Sequence, residues 1–138
     1  MATFEVTDYG YSIQAQVNYI GTDLFIQLIG GSHPHIGTVT TYCKENADKQ
    51  VVRFPSHSGR FHKDDVLADV LLEEIAELLP QNCVITSGVH VDGISKEQIA
   101  GAFEMTKGLA SKIATWLKTE KSPISHPKYQ KTPNNKLV

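Results

Sequence analysis

The sequence predicts an α+β domain in which a mainly antiparallel sheet of about five or six strands packs against two helices. The first half of the chain alternates apolar and polar residues with the period of two that is typical of strands. The second half contains two segments in which apolar residues recur every three or four positions, as in amphipathic helices. The elements are therefore expected in the order β-β-β-β-(β)-α-β-α.

Three strands are predicted before the first histidine of the chain. Phe4 and Val6 mark the first strand, and alternate apolar positions from Ile13 to Tyr19 mark the second. Residues 24–29 are apolar almost throughout, as in strands that lie inside a sheet. This third strand is therefore expected in the centre of the sheet, with helices covering one side.

The chain regains strand character after a loop at residues 32–35. Residues 36–42 and 51–54 form the fourth and fifth predicted strands, and a polar turn at 44–49 separates them. No helical spacing of apolar residues occurs before residue 61, so these strands are expected to precede both helices.

Two amphipathic helices are predicted in the second half. The first has an apolar stripe that begins at Leu67 and ends before Pro80, and a brief buried strand at residues 84–85 follows it. Ser95 and Gln98 form a candidate capping box that begins the second helix. The predicted stripe of this helix comprises Ile99, Ala102, Phe103, Thr106, Leu109, Ile113 and Trp116.

One domain at residues 1–117 and a flexible Lys/Pro-rich tail at residues 118–138 are predicted. A chain of 138 residues with 41% hydrophobic and 20% charged residues is of a size for which one core suffices. The formal net charge is −2, and the five lysines and one glutamate of the tail leave residues 1–117 at −6. A domain with that charge is not expected to bind nucleic acid.

The sequence predicts a soluble cytoplasmic protein. The first residues lack a basic segment followed by an apolar one, and no apolar run reaches the roughly 18 residues that a membrane helix needs. Cys43 and Cys83 are isolated and lie outside any CxxC spacing. Both are therefore predicted to be small buried hydrophobic residues rather than disulfide or metal ligands.

Five of the six histidines fall in three short segments at predicted strand ends, where a rigid scaffold can hold functional loops. The first segment contains His33 and His35, whose side chains share one face if the segment is extended. With His90 or His57 this pair could bind a divalent metal, although the spacing matches no established zinc or iron motif. The alternatives are binding of a planar ligand and packing of the rings in an ordinary turn.

The second segment has the composition of a phosphate-binding loop, because it precedes a helix and carries hydroxyl groups and cations. Its candidate binding residues are Ser56, His57, Ser58, Gly59, Arg60, His62 and Lys63. Asp64 and Asp65 at the helix start would repel an anion, so a phosphate is expected on Arg60 and the serines, or to be shared with a cation. A solvated turn is the alternative.

The third segment contains His90 and Asp92, and the carboxylate could orient the imidazole. The alternative is an ordinary connection between a strand and a helix. The sequence contains no GxSxG, GxxxxGK[ST], HExxH or GxGxxG motif. A classical hydrolase, nucleotide kinase or Rossmann dehydrogenase is therefore disfavoured.

The chain resembles the LpdD-like prenylated-flavin chaperones of UbiD-type decarboxylases in three segments, TFEVTDYGYSIQAQVNYIGTDLFIQLIGGSHPHIGTV, PSHSGRFHKDDVLA and CVITSGVHVDGI. The likeness covers about residues 3–117. It implies a non-catalytic homodimer that binds reduced prenylated FMN and assists its delivery to, or maturation in, an aromatic acid decarboxylase. A flavin prenyltransferase is a further implied partner. The matching positions are His33, His35, His57, Ser58, Gly59, Arg60, His62, Lys63, His90 and Asp92.

The local chemistry is compatible with this resemblance. Arg60, Ser56 and Ser58 could hold the phosphate, the histidines could hydrogen-bond to the isoalloxazine edge, and Phe61 or Tyr42 could cover the ring. Two other classes of protein stay open. One is a small metal-dependent enzyme using His33, His35 and His90, and the other is an interaction module in which the loops only shape a surface.

Overall fold

The computed structural model describes residues 1–60, 62, 64–120 and 127–130. Within these residues the chain forms six strands and two α-helices in the predicted order, including the fifth strand before the first helix. None of the helices described is long and apolar enough to span a membrane. The elements are β1 (Ala2–Asp8), β2 (Tyr11–Ile20), β3 (Asp23–Gly31), β4 (Thr38–Cys43), β5 (Asp48–Arg53), α1 (Asp65–Ile75), β6 (Cys83–His90) and α2 (Lys96–Thr119).

The strands form one sheet in the order β1-β2-β3-β6-β4-β5. All neighbouring strands are antiparallel except β3 and β6, which run parallel from the Leu24–Cys83 pair to the Gly31–His90 pair. The last strand of the chain therefore lies between strands that precede it. The predicted α+β class and the central position of β3 are both confirmed.

Both helices cover the same face of the sheet, with α2 against β1 and β2 and α1 against β4 and β6. Alternate residues of the strands point into the layer between sheet and helices, because side chains in a strand alternate between its two faces. The fully buried side chains of this core include Ile13, Val17, Ile26, Leu28, Leu71, Ile75, Ile85, Leu109 and Ile113. This packing fixes which ends of the strands and helices lie together.

The second helix has the predicted capping box and most of the predicted stripe, since Ala102, Thr106, Leu109 and Ile113 are buried. Ser95 Oγ accepts a hydrogen bond from the Gln98 N–H, and Gln98 Oε1 accepts one from the Ser95 N–H. Ile99 and Phe103, however, are 49% and 37% exposed. These two residues therefore lie beside the stripe that faces the core rather than in it.

Two predicted boundaries were also wrong. Helix α1 ends at Ile75 and continues as a 3-10 turn at Ala76–Leu78, so the apolar stripe spans two kinds of helix. Strand β6 covers Cys83–His90 rather than two residues, and Val84, predicted to be buried, is 36% exposed on the face without helices. Polar and glycine residues continue this strand because it pairs with a neighbour on each side.

Cys83 is buried as predicted, whereas Cys43 is only half-buried. Burial raises the pKa of the Cys83 thiol to about 12, so this thiol stays protonated at neutral pH. Helix α2 continues to Thr119, past the predicted end of the domain. Apart from residues 118–120 and 127–130, the predicted tail lies outside the described residues.

Candidate functional site

The three histidine-bearing segments meet at one edge of the sheet. Strands β3 and β6 are parallel, so their carboxyl ends at Gly31 and His90 are paired there. Strand β4 begins at the same edge, and both helices begin close to it. The carboxyl ends of parallel strands are the usual place for ligands in open sheets that contain helices.

Two glycines allow the loop after β3 to lie closely across this edge. The loop is held at both ends, because the Ser32 N–H donates to the His90 carbonyl at 2.7 Å and the Gly37 N–H donates to the Ser87 carbonyl at 2.9 Å. A Cβ atom at Gly88 would overlap the His35 carbonyl, and one at Gly37 would overlap the Asp64 carboxylate. The loop can therefore lie this close to the sheet and to α1 because these positions have no side chain.

His35, His62 and Asp64 form a compact, largely buried group, which we call the inner cluster. Asp64 Oδ2 lies 3.7 Å from His35 Nε2 and 3.5 Å from His62 Nδ1, and the two rings are 4.7 Å apart. Asp64 is the N-cap residue of α1, but its side chain makes no capping hydrogen bond. Its Oδ1 instead accepts a hydrogen bond from the Val89 N–H at 3.3 Å.

The carboxylate of the inner cluster is held in an unfavourable environment for its charge. Burial raises the pKa of Asp64, and this effect exceeds the opposing effects of the Val89 N–H and of the two histidines. Only 14% of the Asp64 side chain is exposed. The site therefore has an incompletely neutralised negative charge, which favours uptake of a proton or a cation.

His33, His90 and Asp92 form a second, exposed group, the outer cluster. Asp92 lies 3.1 Å from His33 Nε2 and 3.0 Å from His90 Nε2, and its side chain is 72% exposed. The hydrogen bond to His33 has the largest effect on the pKa of Asp92, and the hydrogen bond to His90 comes second; both lower this pKa. The predicted pairing of Asp92 with His90 is present, and His33 shares the same carboxylate.

The predicted metal group of His33, His35 and His90 is not the grouping that the structure forms. His35 Nδ1 lies 2.9 Å from the His33 carbonyl oxygen. The other nitrogen of the His35 ring, Nε2, faces Asp64 rather than the His33 ring. Among the described residues, only the inner cluster brings three potential metal-ligating atoms together, within 4.8 Å of one another. His33 and His35 therefore belong to different clusters, since His33 contacts Asp92 and His35 lies near Asp64.

The outer cluster and the two histidines of the inner cluster line a common cavity of about 490 Å³, which we call the histidine cavity. Its wall consists of His33, His35, Ile36, Pro55, His57, His62, His90 and Asp92. Five histidines from all three segments thus meet around one space.

Residues 56–60 form a tight turn that presents hydroxyl groups and a guanidinium. The Ser56 N–H donates to the Arg60 carbonyl, and the Gly59 N–H donates to the Ser56 carbonyl at 3.1 Å. Gly59 has a φ of +80°, which suits glycine, and the Ser56 and Ser58 hydroxyls are 2.8 Å apart. Arg60 has no ion-pair partner within the described part of the chain. The predicted site residue Lys63, and Phe61, lie outside the described residues.

A larger cavity of about 630 Å³, the helix cavity, lies between this turn and the first turns of α1 and α2. Its polar side is lined by Ser56, His57, Ser58, Arg60, His62, Asp64 and His90. Its apolar side includes Val66, Leu67, Val89, Ile94, Ile99, Ala102 and Phe103. Four of these, Val66, Ile94, Ile99 and Phe103, are large apolar side chains that remain exposed, as is typical of binding surfaces.

The apolar side of the helix cavity was not predicted as part of the site. Ile99 and Phe103 were assigned to the core because their spacing fits a helical stripe. What distinguishes them is that Ala102, Leu109 and Ile113 of the predicted stripe form a buried face together with Met105, which the prediction omits. Tyr42, in contrast, lies at the far end of β4, pairs with Cys83 and packs on the core, so it cannot cover a ligand at this edge.

The start of α2 is fixed by contacts with the turn between β1 and β2. The Tyr11 hydroxyl donates to the Gln98 carbonyl at 2.9 Å, and Gln98 Nε2 donates to the Tyr9 carbonyl at 2.9 Å. Gly101 packs against the Tyr9 ring, where any larger residue would collide with it. The apolar wall is therefore carried by a rigid element.

Comparison with known proteins gives two agreeing results. A family model described as a prenylated flavin chaperone LpdD-like domain matches residues 7–118. Protein LpdD of Lactiplantibacillus plantarum is 43% identical to this chain over 129 residues, which is 94% of each chain. The matched residues include both clusters and the walls of both cavities.

Proposed function

The chain belongs to the LpdD-like prenylated flavin chaperone family, and from this premise we propose that it binds reduced prenylated FMN in the helix cavity and passes it to a UbiD-type aromatic acid decarboxylase. The observation that carries the proposal is that this cavity is lined by both polar and large apolar side chains. A prenylated flavin has an anionic phosphate at one end and a largely apolar, extended ring system at the other. The two kinds of lining residue suit these two ends.

The polar side suits the phosphate. Arg60 offers a guanidinium that no described carboxylate neutralises, and such a group can bind phosphate through two parallel hydrogen bonds. The Ser56 and Ser58 hydroxyls lie on the same turn and can donate to further phosphate oxygens. In this assignment Arg60 is the main determinant of phosphate affinity.

The apolar side suits the ring system and the carbons added by prenylation. Ile99 and Phe103 on α2, with Val66 on α1, form the wall, and His57 and His90 offer ring nitrogens to the polar edge of the flavin. A volume of about 630 Å³ is in the range of cavities that hold cofactors. The wall residues are partly exposed, so bound flavin stays accessible for release.

In this proposal the chain holds and releases the flavin and performs no reaction on it. The prenylated flavin supplies its own chemistry in the enzyme that receives it. A flavin prenyltransferase is the proposed source, and the exchange is proposed to take place in the cytoplasm. The homodimer stays a prediction. Measurement of the molecular mass in solution tests it.

Anaerobic titration with reduced prenylated FMN, with plain FMN as the comparison ligand, tests the proposal directly. We expect stoichiometric binding with a preference for the prenylated form. Arg60→Ala should weaken binding by about tenfold to a hundredfold, since a charge-assisted hydrogen bond contributes about 1.5–3 kcal/mol. The control is Lys107→Ala, which removes an exposed cation on α2, away from the turn that carries Arg60. It should leave the affinity for the flavin unchanged.

Absence of binding of either flavin would refute the proposal. Unchanged affinity of Arg60→Ala would refute the phosphate assignment while leaving the cavity in place. Delivery is tested separately, by mixing the loaded chain with an apo-decarboxylase and following decarboxylation. The same amount of free reduced prenylated FMN is the control, and equal activation by both would argue against delivery.

A further inference from the structure

We propose that the inner cluster, His35, His62 and Asp64, binds one divalent transition-metal ion such as Zn²⁺. Two imidazole nitrogens and one carboxylate oxygen are a donor set that proteins use for zinc and for ferrous iron. This site differs from the group predicted from sequence, and it does not depend on flavin binding.

The hydrogen bonding of His35 directs a lone pair into the cluster. The Nδ1 atom lies 2.9 Å from the His33 carbonyl oxygen, and a carbonyl only accepts, so Nδ1 carries the proton. In the neutral ring Nε2 is then unprotonated. This atom is buried and has no hydrogen-bond partner among the residues that the structure describes. Metal-ligating histidines are commonly oriented by a hydrogen bond of this kind from the other ring nitrogen.

The distances fit an ion better than direct hydrogen bonds. Asp64 Oδ2 lies 3.7 Å from His35 Nε2 and 3.5 Å from His62 Nδ1, which is longer than the hydrogen bonds of paired histidines and carboxylates. In a tetrahedral site with bonds of about 2.1 Å, ligand atoms lie about 3.4 Å apart. All three donor atoms lie within 4.8 Å of one another, so movement of the side chains toward a shared ion would complete the coordination.

Asp64 is oriented for this role by the backbone. An aspartate at an N-cap normally accepts a hydrogen bond from the first turn of its helix, but the Asp64 side chain makes none. Oδ1 accepts the Val89 N–H instead, and Oδ2 faces both histidines. The carboxylate is thus held by a second partner, as ligating carboxylates are in metal sites.

The three donors leave coordination positions for other ligands. His35 lines the histidine cavity, Asp64 lines the helix cavity and His62 lines both. An ion here would lie where the two cavities adjoin. Its charge would also offset the carboxylate that otherwise disfavours anions near the start of α1.

Metal uptake by the full-length, untagged protein, treated with a chelator and then titrated anaerobically with Co²⁺, tests the proposal. We expect one Co²⁺ per chain, visible absorption bands of the bound ion, and displacement by Zn²⁺. Asp64→Asn and His62→Ala should each weaken Co²⁺ binding by about tenfold to a hundredfold or more, since loss of even an outer partner of a ligand has that effect. Zn²⁺ should raise the melting temperature of the wild type but not of Asp64→Asn.

Matched variants identify the ligands. Asp69→Asn makes the same chemical change on a partly exposed residue of α1 outside the inner cluster and should bind Co²⁺ like the wild type. His90→Ala tests the alternative metal group that the sequence predicts, His33, His35 and His90. Three results would each overturn the proposal. They are no Co²⁺ uptake by the wild type, uptake retained in both Asp64→Asn and His62→Ala, and a loss of uptake in His90→Ala equal to theirs. Circular dichroism identifies a variant that fails to fold, and the nearly isosteric Asp64→Asn then decides.

Discussion

The two adjacent aspartates at the start of α1 have opposite environments. Arg53 donates two hydrogen bonds to the Asp65 carboxylate, at 3.1 and 2.9 Å, and this lowers the pKa of Asp65. Burial raises the pKa of its neighbour Asp64, which pairs with no arginine or lysine in the described part of the chain. One carboxylate therefore stabilises the attachment of α1 to the edge strand β5, and the other forms part of the site.

Arg53→Ala should lower the free energy of unfolding at pH 7, because it leaves the buried Asp65 carboxylate unpaired; the loss is smaller than for a fully buried pair, because the arginine is half-exposed. The folded-state pKa of Asp65 is lowered from its ordinary value of 3.8, so the stabilisation is complete above that value and lost as the pH falls through the lowered pKa. The difference in the free energy of unfolding between wild type and variant should therefore shrink below about pH 4. Urea unfolding at several pH values measures it.

Lys49→Ala is the matched control, because Lys49 on β5 pairs with Asp69 on α1 and both side chains are partly exposed. That pair should contribute less than about 1 kcal/mol. A loss in Lys49→Ala as large as that in Arg53→Ala would contradict the importance of burial.

At the scale of elements, periodicity predicted which segments form strands and helices, but pairing determined where they end. The sequence of β6 contains Ser87 and Gly88, which weaken a strand signal, yet both are paired with β3. The same limit applies to α2. Its first turns carry more apolar residues than one face can bury, and the burial of Ala102 and the packing of Gly101 on Tyr9 identify the face that points to the core.

The exposed stripe of α2 leads to a prediction on binding. Phe103→Ser or Ile99→Ser should weaken binding of reduced prenylated FMN by about tenfold, because each removes apolar contact area from the helix cavity. The free energy of unfolding should change by less than about 1 kcal/mol, since both side chains are already partly exposed. Titration and urea unfolding of the same samples give both values.

Ile20→Ser is the control for these variants. Ile20 is also an exposed isoleucine, but it lies at the end of β2 remote from the site. Equal loss of affinity in Ile20→Ser would show that the change in affinity does not come from the apolar wall.

At the scale of the whole molecule, the site depends on contacts that no local pattern contains. The sequence predicts three histidine-bearing loops, but their partners are separated by many residues, as in the pairing of His33 with Asp92. Which histidines share a carboxylate depends on the parallel pairing of β3 with β6 and on close approach at Gly37 and Gly88. These features follow from the complete fold and could not be predicted from spacing alone.

Hydrogen exchange should show a stable centre and less stable edges. We expect backbone amides of β3 and β6 to exchange only through global unfolding, because each strand is paired on both sides. Amides of the edge strands β1 and β5 should exchange faster. Mass spectrometry of peptides from each strand measures this order, and exchange of β6 as fast as that of β5 would contradict it.

The insertion of β6 between β3 and β4 has a consequence for synthesis on the ribosome. Strands β1–β3 and the β4–β5 hairpin are not hydrogen-bonded to each other and join only through β6. Until residue 90 has left the exit tunnel, a nascent chain therefore carries two separate pieces of sheet with unpaired inner edges. Such edges invite association with other chains, so this interval is when the newborn protein most needs protection from aggregation.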